Sequence, residues 1–125
     1  MLGDKDAIAT IAVKDVNVAK KFYEDTLGLK PEPAQEPGVL LYKSGRAMVL
    51  VYKSRFAGTN QATAATWSVG GNIEGVVQSL KAKGVVFEHY DFPGVKREGD
   101  VHLTGKTKAA WFKDPDGNIL SLVSQ

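Results

Sequence analysis

Apolar and polar positions follow a pattern in the first third of the chain that predicts a strand and then a helix. Residues 7–13 are apolar and β-branched except for Thr10, as is typical of a buried strand. Asp15 or Asn17 can cap the helix that follows. Gly28 is suited to end it. One buried helix face is indicated by apolar and small residues at spacings of three and four, namely Ala19, Phe22, Tyr23 and Thr26.

The same pattern returns in the second half of the chain. Residues 64–69 predict a short strand, Asn72 can cap a second helix and Gly84 can end it. The apolar stripe of this helix consists of Ile73, Val76, Val77 and Leu80. Fifteen residues separate Val13 from Gly28, and fifteen separate Val69 from Gly84. A long period that occurs twice indicates a duplicated module.

Further strands are predicted after the first helix. Three prolines make residues 31–37 an edge strand or a loop. Residues 39–43 and 47–53 read as two strands joined by a tight turn at 44–46. Residues 54–63 are polar and contain glycine, so they are predicted to be a linker.

The second module predicts strands at residues 85–90, 107–113 and 118–123. The Asp-Pro-Asp-Gly sequence at 114–117 suits a type I turn, with its carboxylates satisfying backbone amides. Residues 91–106 are charged and glycine-rich, and they are predicted to be a mobile loop that acts as a lid.

These elements predict an α+β protein made of two tandem βαβββ modules, at about 5–55 and 62–125, within a single domain 1–125. Neither module can bury its apolar face alone, so the two must pack together.

Composition narrows the class of protein. The 16 basic and 14 acidic residues give a net charge of +2, with no basic run, so no nucleic acid or membrane partner is expected. The absence of cysteine excludes disulfides and thiolate metal sites. No signal peptide or membrane-spanning stretch is found in the sequence, which predicts a cytoplasmic protein.

Two motifs resemble the vicinal-oxygen-chelate superfamily, the group of glyoxalases, bleomycin-resistance proteins and extradiol dioxygenases. The first motif is similar to the first-module signature of the superfamily and consists of Val13-Lys14-Asp15, then Ala19, Phe22-Tyr23 and Leu27-Gly28-Leu29. The second motif is similar to its closing hairpin and covers residues 110–118 (AWFKDPDGN). The resemblance covers nearly the whole chain. It implies a cupped mixed sheet with helices on its outer face, and it fixes no single activity.

In the enzymes of this superfamily, the resemblance implies a divalent metal inside the cup, held by His, Gln or Glu side chains from four strands, where the ion polarises a substrate oxygen. The matching positions here are Ile8, a residue at or near Leu50, Ala64 or Ala65, and Ser121. Three are hydrocarbon and one is a neutral hydroxyl, so we expect no metal and no other cofactor.

The two histidines leave an alternative open. His89 and His102 could build an atypical metal site with Glu88 or Asp100. Otherwise His89 makes a local hydrogen bond and His102 is solvated. No catalytic residue is predicted, because the chain has no nucleophile motif.

Strand alternation predicts which side chains line the cup. By this alternation, Trp67 is expected to face the helices and is not part of the cup lining. The predicted lining is aromatic and aliphatic with a few hydroxyls, and its ligand-binding residues are Thr10, Met48, Leu50, Tyr52, Tyr90, Trp111 and Ser121. Such a lining suits a planar small molecule.

The sequence therefore predicts a metal-free small-molecule-binding protein. By resemblance to the drug-sequestering members, it is expected to form a homodimer that binds its ligand between two subunits. A lyase, isomerase or dioxygenase with an atypical metal site is the alternative, and a structural or regulatory module is a third.

Overall fold

The computed structural model describes residues 1–34 and 36–124 and contains two β-sheets, each with a helix against one side. Gln35, in the predicted 31–37 segment, and Gln125, the last residue of the predicted second module, lie outside the described residues. Neither helix within residues 1–34 and 36–124 has the length and the continuous apolar surface that a membrane span requires.

The first module follows the predicted order. It consists of β1 (Ala9–Val13), α1 (Val16–Lys21), a π-helical turn (Phe22–Thr26), β2 (Lys30–Glu32), β3 (Val39–Ser44) and β4 (Ala47–Lys53). Asp15 caps α1, since its carboxylate accepts from the backbone amides of Asn17 and Val18. The sheet order is β1-β4-β3-β2, with β1 parallel to β4 and the other pairs antiparallel.

The second module repeats this plan. It consists of β5 (Thr63–Ser68), α2 (Ile73–Ala82), β6 (Phe87–Glu88), β7 (Lys96–Glu98), β8 (Val101–Thr104), β9 (Thr107–Lys113) and β10 (Ile119–Ser124). Asn72 caps α2, as predicted. The sheet order is β5-β10-β9-β8-β7, and β6 pairs with β9 beyond the end of β8.

The segment 91–106, which was predicted to be a mobile loop, contains regular strands. It contains the hairpin of β7 and β8, and β8 pairs with β9, so this segment forms one edge of the second sheet. The predicted strand 85–90 is reduced to β6. The strands in this segment are only three and four residues long, too short to show an alternating pattern. Three glycines with positive φ supply the turns instead.

The core lies between each sheet and its helix. Alternate strand residues face it, including Val49 and Val51 on β4 and Leu120 and Leu122 on β10. The apolar stripe of α2 is buried there as well, through Ile73, Val77 and Leu80. The opposite face of both sheets, turned away from the helices, is called the cup face below.

The two modules meet along β1 and β5 and are joined by hydrogen bonds from buried side chains. The hydroxyl of Tyr23 donates to Asp114 Oδ2 at 2.8 Å, and Asn118 Nδ2 donates to the carbonyl oxygen of Ala12 at 2.7 Å. The turn 114–117 therefore joins the modules, besides closing the hairpin of β9 and β10.

Candidate ligand-binding site in the cup

Six of the seven predicted ligand-binding residues lie on cup-face positions of strands. Thr10 pairs in register with Leu50 in the first sheet, and Ser121 pairs with Trp111 in the second. Their neighbours along each strand are buried against the helices, which fixes these side chains on the cup face. Met48 and Tyr52 share that face on β4, while Tyr90, the seventh, follows β6.

A short row of hydroxyl groups crosses the second sheet beside Trp111. The hydroxyls of Thr66 and Ser121 are 2.6 Å apart, and the indole Nε1 of Trp111 donates to Thr63 Oγ1 at 3.2 Å. Thr63 and Thr66 were not among the predicted ligand-binding residues. Alternation along β5 could indicate Thr66, which lies opposite Ser121. Thr63 is three residues away and lies opposite the cup-face residue Ile119 only because the register shifts between Ile119 and Leu120.

Aromatic rings pack around Trp111 on this face. The ring centroids of His102, Tyr90 and Phe92 lie 4.9, 5.5 and 5.8 Å from that of the indole. The first two contacts are edge-on, the geometry that ring quadrupoles favour. Tyr90 and Phe92 come from the segment after β6, so this segment folds over part of the indole. Phe92 itself remains 45% exposed.

His102 was expected to be solvated, but its side chain is buried, with only 1% exposed. Its Nε2 accepts a hydrogen bond from the backbone amide of Tyr90 at 3.0 Å, which places the proton of a neutral ring on Nδ1. Within residues 1–34 and 36–124, that Nδ1 and the hydroxyl of Tyr90 are buried without a hydrogen-bond partner. Burial raises the pKa of Tyr90, with a smaller contribution from Glu88, and the hydroxyl therefore stays protonated.

His89 makes the local hydrogen bond that was predicted. Its Nε2 lies 2.7 Å from Asp100 Oδ1, while Lys81 Nζ lies 2.7 Å from the other carboxylate oxygen. The hydrogen bonds from Lys81 and then His89 lower the pKa of Asp100. These contacts tie the β7–β8 hairpin to α2.

The residues of the cup do not fit a divalent metal. At the positions of the superfamily's metal ligands, the side chains of Ile8, Leu50 and Ala64 or Ala65 are hydrocarbon. The hydroxyl of Ser121, at the fourth position, is hydrogen-bonded to that of Thr66. The described chain contains no group of three or more His, Cys, Asp or Glu side chains placed to hold a metal ion. His102 also offers little to such a site, because its Nε2 already accepts from the backbone.

Comparison with known proteins agrees with this fold. The family model of the Glyoxalase/Bleomycin resistance protein/Dioxygenase superfamily matches residues 6–122. The chain belongs to this superfamily, the group that the sequence analysis identified by resemblance. A search of curated proteins finds no match.

Solved structures share the architecture at low sequence identity. An integron cassette protein from the mobile metagenome of Halifax Harbour sewage outfall is 20% identical, with a TM-score of 0.72 over 98% of this chain and 99% of that one. The fosfomycin resistance protein FosX from Listeria monocytogenes is 12% identical, with a TM-score of 0.73 over 98% and 93% of the two chains. Lactoylglutathione lyase from Agrobacterium tumefaciens is 16% identical, with a TM-score of 0.67 over 97% and 93%. At such identities, the likeness concerns the fold alone.

Proposed function

We propose that this protein is a metal-free small-molecule-binding protein of the glyoxalase and bleomycin-resistance type, which holds a planar or aromatic ligand in the cup. The observation that carries the proposal is the composition of the cup face. Trp111 stands there beside hydroxyl groups, and the positions of the superfamily's metal ligands hold hydrocarbon side chains and one hydroxyl that is already hydrogen-bonded, all of them poor ligands for a divalent ion. Apolar walls with a few hydroxyls suit a weakly polar planar molecule.

The proposed ligand-binding residues remain those of the sequence analysis, Thr10, Met48, Leu50, Tyr52, Tyr90, Trp111 and Ser121. Thr63 and Thr66 join them because they adjoin Trp111 and Ser121. Because both modules contribute to this set, we treat the chain as one functional domain. No role in catalysis is assigned to any residue.

We further propose that the protein is a cytoplasmic homodimer in which a second subunit completes each cup. Support comes from apolar residues left open on or beside the cup face, such as Ile8 at 50% and Tyr52 at 37% exposure. Sedimentation velocity at high micromolar concentration is expected to give a dimer. A monomer under those conditions contradicts this part of the proposal.

Trp111 supplies the direct test of ligand binding. The probe is N-phenyl-1-naphthylamine, a neutral aromatic molecule whose emission rises in apolar sites. Stacking on an indole contributes roughly 0.5–1.5 kcal/mol beyond burial, so Trp111→Ala should weaken binding by more than about twofold to twelvefold. Trp111→Phe should keep most of the affinity. Phe87→Leu, which alters an aromatic ring packed against Phe112 on the helix side of the same sheet, is the control and should change little.

Stability measurements on the same variants separate binding from packing. If Trp111 only fills the core, Trp111→Ala should cost about 3–5 kcal/mol of unfolding free energy and leave the probe affinity of the folded fraction unchanged. That outcome refutes the proposed site.

Elemental analysis tests the metal-free part of the proposal. Protein purified without chelator should carry well under one equivalent of nickel, zinc, iron or manganese. A stoichiometric metal that is lost on chelation, together with a measurable activity, supports the alternative of a lyase, isomerase or dioxygenase with an atypical metal site.

A further inference from the structure

A cavity lies on the helix side of the molecule, between the two modules. It has a volume of about 390 Å³, within the range of small-molecule sites. Its walls come from the region around β2, from the turn between β3 and β4, and from β5, α2, β9 and β10. We call this cavity the intermodular cleft. Because Phe112 and Leu122 line it from the buried side of their strands, the second sheet separates the cleft from the cup face.

Trp67 forms a wall of the intermodular cleft and connects its two sides. Its side chain lies on the helix side of β5, as predicted, and its indole Nε1 donates to Ser44 Oγ at 2.9 Å. Ser44 belongs to the first module, so this hydrogen bond crosses from one module to the other. The indole ring thus presents an aromatic surface while its polar atom is already satisfied. Val76 and Leu80 of α2 continue the apolar lining.

The charged residues that line the cleft are all basic. Lys30 and Lys43 are neighbours across β2 and β3, both are exposed, and the lining includes no Asp, Glu or Arg. Neither lysine has a carboxylate within 4.0 Å in the described part of the chain. Like charges directly opposite each other destabilise a strand pair, and a bound anion relieves that repulsion.

We propose that the intermodular cleft binds a small amphipathic anion, with an aromatic or aliphatic body against Trp67 and the apolar wall and an oxyanion head at Lys30 and Lys43. The cavity size, the aromatic wall and the uncompensated positive charge together point to this class of ligand. The proposal is independent of the proposed cup ligand, because different residues on the opposite side of the sheet carry it.

Two matched probes test the cleft. 8-Anilino-1-naphthalenesulfonate has the ring system of N-phenyl-1-naphthylamine with an added sulfonate, so comparing the two isolates the contribution of the anion. In a Trp111→Ala background, the proposed cup site is weakened and Trp67 is the single indole. Energy transfer from Trp67 then reports that a probe is bound, and the variants below locate that probe in the cleft. We expect the sulfonate probe to bind with one-to-one stoichiometry and more tightly than the neutral probe.

Variants of the two lysines decide the charge argument. The double change Lys30→Gln/Lys43→Gln should weaken the sulfonate probe roughly tenfold, since each exposed charge pair contributes up to about 1 kcal/mol, and should leave the neutral probe unaffected. The control is Lys20→Gln/Lys21→Gln on α1, which removes the same charge away from the cleft lining. All four lysines are exposed, so folding should not change.

A second variant tests the cavity itself. Val76→Phe should fill part of the cleft and weaken the sulfonate probe without adding an indole, and circular dichroism checks that it folds. The proposal is overturned if both probes bind with equal affinity or if the sulfonate probe shows no saturable binding. It is also overturned if the lysine variant and the control variant have equal effects. A change of sedimentation coefficient in the cleft variants also overturns it, because the cleft is then a surface for a second copy of the chain. None of these results depends on Trp111 binding a ligand in the cup.

Discussion

The hydrogen bond between Tyr23 and Asp114 gives a sharp test of how the two modules are held together. Four donors converge on the buried carboxylate of Asp114. Its Oδ1 accepts from the backbone amides of Asp116 and Asn118 at 2.9 Å each, and its Oδ2 accepts from Asn118 Nδ2 and the Tyr23 hydroxyl at 2.8 Å each. Burial and, next, the charge of Asp114 raise the pKa of Tyr23 far above its ordinary value, so the hydroxyl remains a donor.

The change Tyr23→Phe removes one of these donors without removing the ring. A hydrogen bond to a charged group contributes about 1.5–3 kcal/mol, and water cannot easily replace the hydroxyl because Tyr23 is completely buried. The expected loss of unfolding free energy is therefore about 1.5–3 kcal/mol. For a domain of this length, that loss corresponds to a fall in Tm of roughly 6–12 °C.

Urea unfolding followed by circular dichroism measures this loss, and Tyr42→Phe is the matched control. The ring of Tyr42 is equally buried and stacks on that of Tyr23 with centroids 6.3 Å apart, but its hydroxyl donates to Glu24, which is only half-buried. Water can reach that carboxylate, so the control should cost only about 0.5–1.5 kcal/mol. Equal losses in the two variants, or a loss below about 0.5 kcal/mol for Tyr23→Phe, refute the reasoning.

Two further predictions concern backbone strain and pH. A methyl group at Gly58, where φ is +73°, would overlap the carbonyl oxygen of Asp116, so Gly58→Ala should destabilise the fold by more than about 1–3 kcal/mol. Gly45→Ala, at a φ of +59° with open space around it, should cost about 1 kcal/mol. If thermal unfolding gives equal losses, the close contact is unimportant. Hydrogen bonds from Lys81 and His89 lower the pKa of Asp100. The ionised Asp100 therefore stabilises the fold fully above about pH 4, the ordinary pKa of Asp. This stabilisation is lost as the pH falls through the lowered pKa. Asp100→Asn should therefore reduce the acid dependence of stability between about pH 5 and 2, and an unchanged pH profile contradicts this.

Local sequence patterns were sufficient to predict the two-module order of elements and the faces of the long strands. The strands with clear alternation, β4 and β9, have the predicted bounds. Helix capping by Asp15 and Asn72 and the turn at 114–117 also depend on neighbouring residues, so a single sequence contains the necessary signals. The register of Trp111 with Ser121 follows from that short turn.

Contacts between residues far apart in the chain were decided by the tertiary structure alone. Tyr23 meets Asp114 across 91 residues, and Trp67 meets Ser44 across 23, so no local pattern indicates either pair. The burial of His102 has the same origin, because the segment carrying Tyr90 and Phe92 folds over it after β8 joins the sheet. Periodicity assigns a residue to one face of its own element. Which element packs on that face depends on how the modules meet, and this packing forms the intermodular cleft.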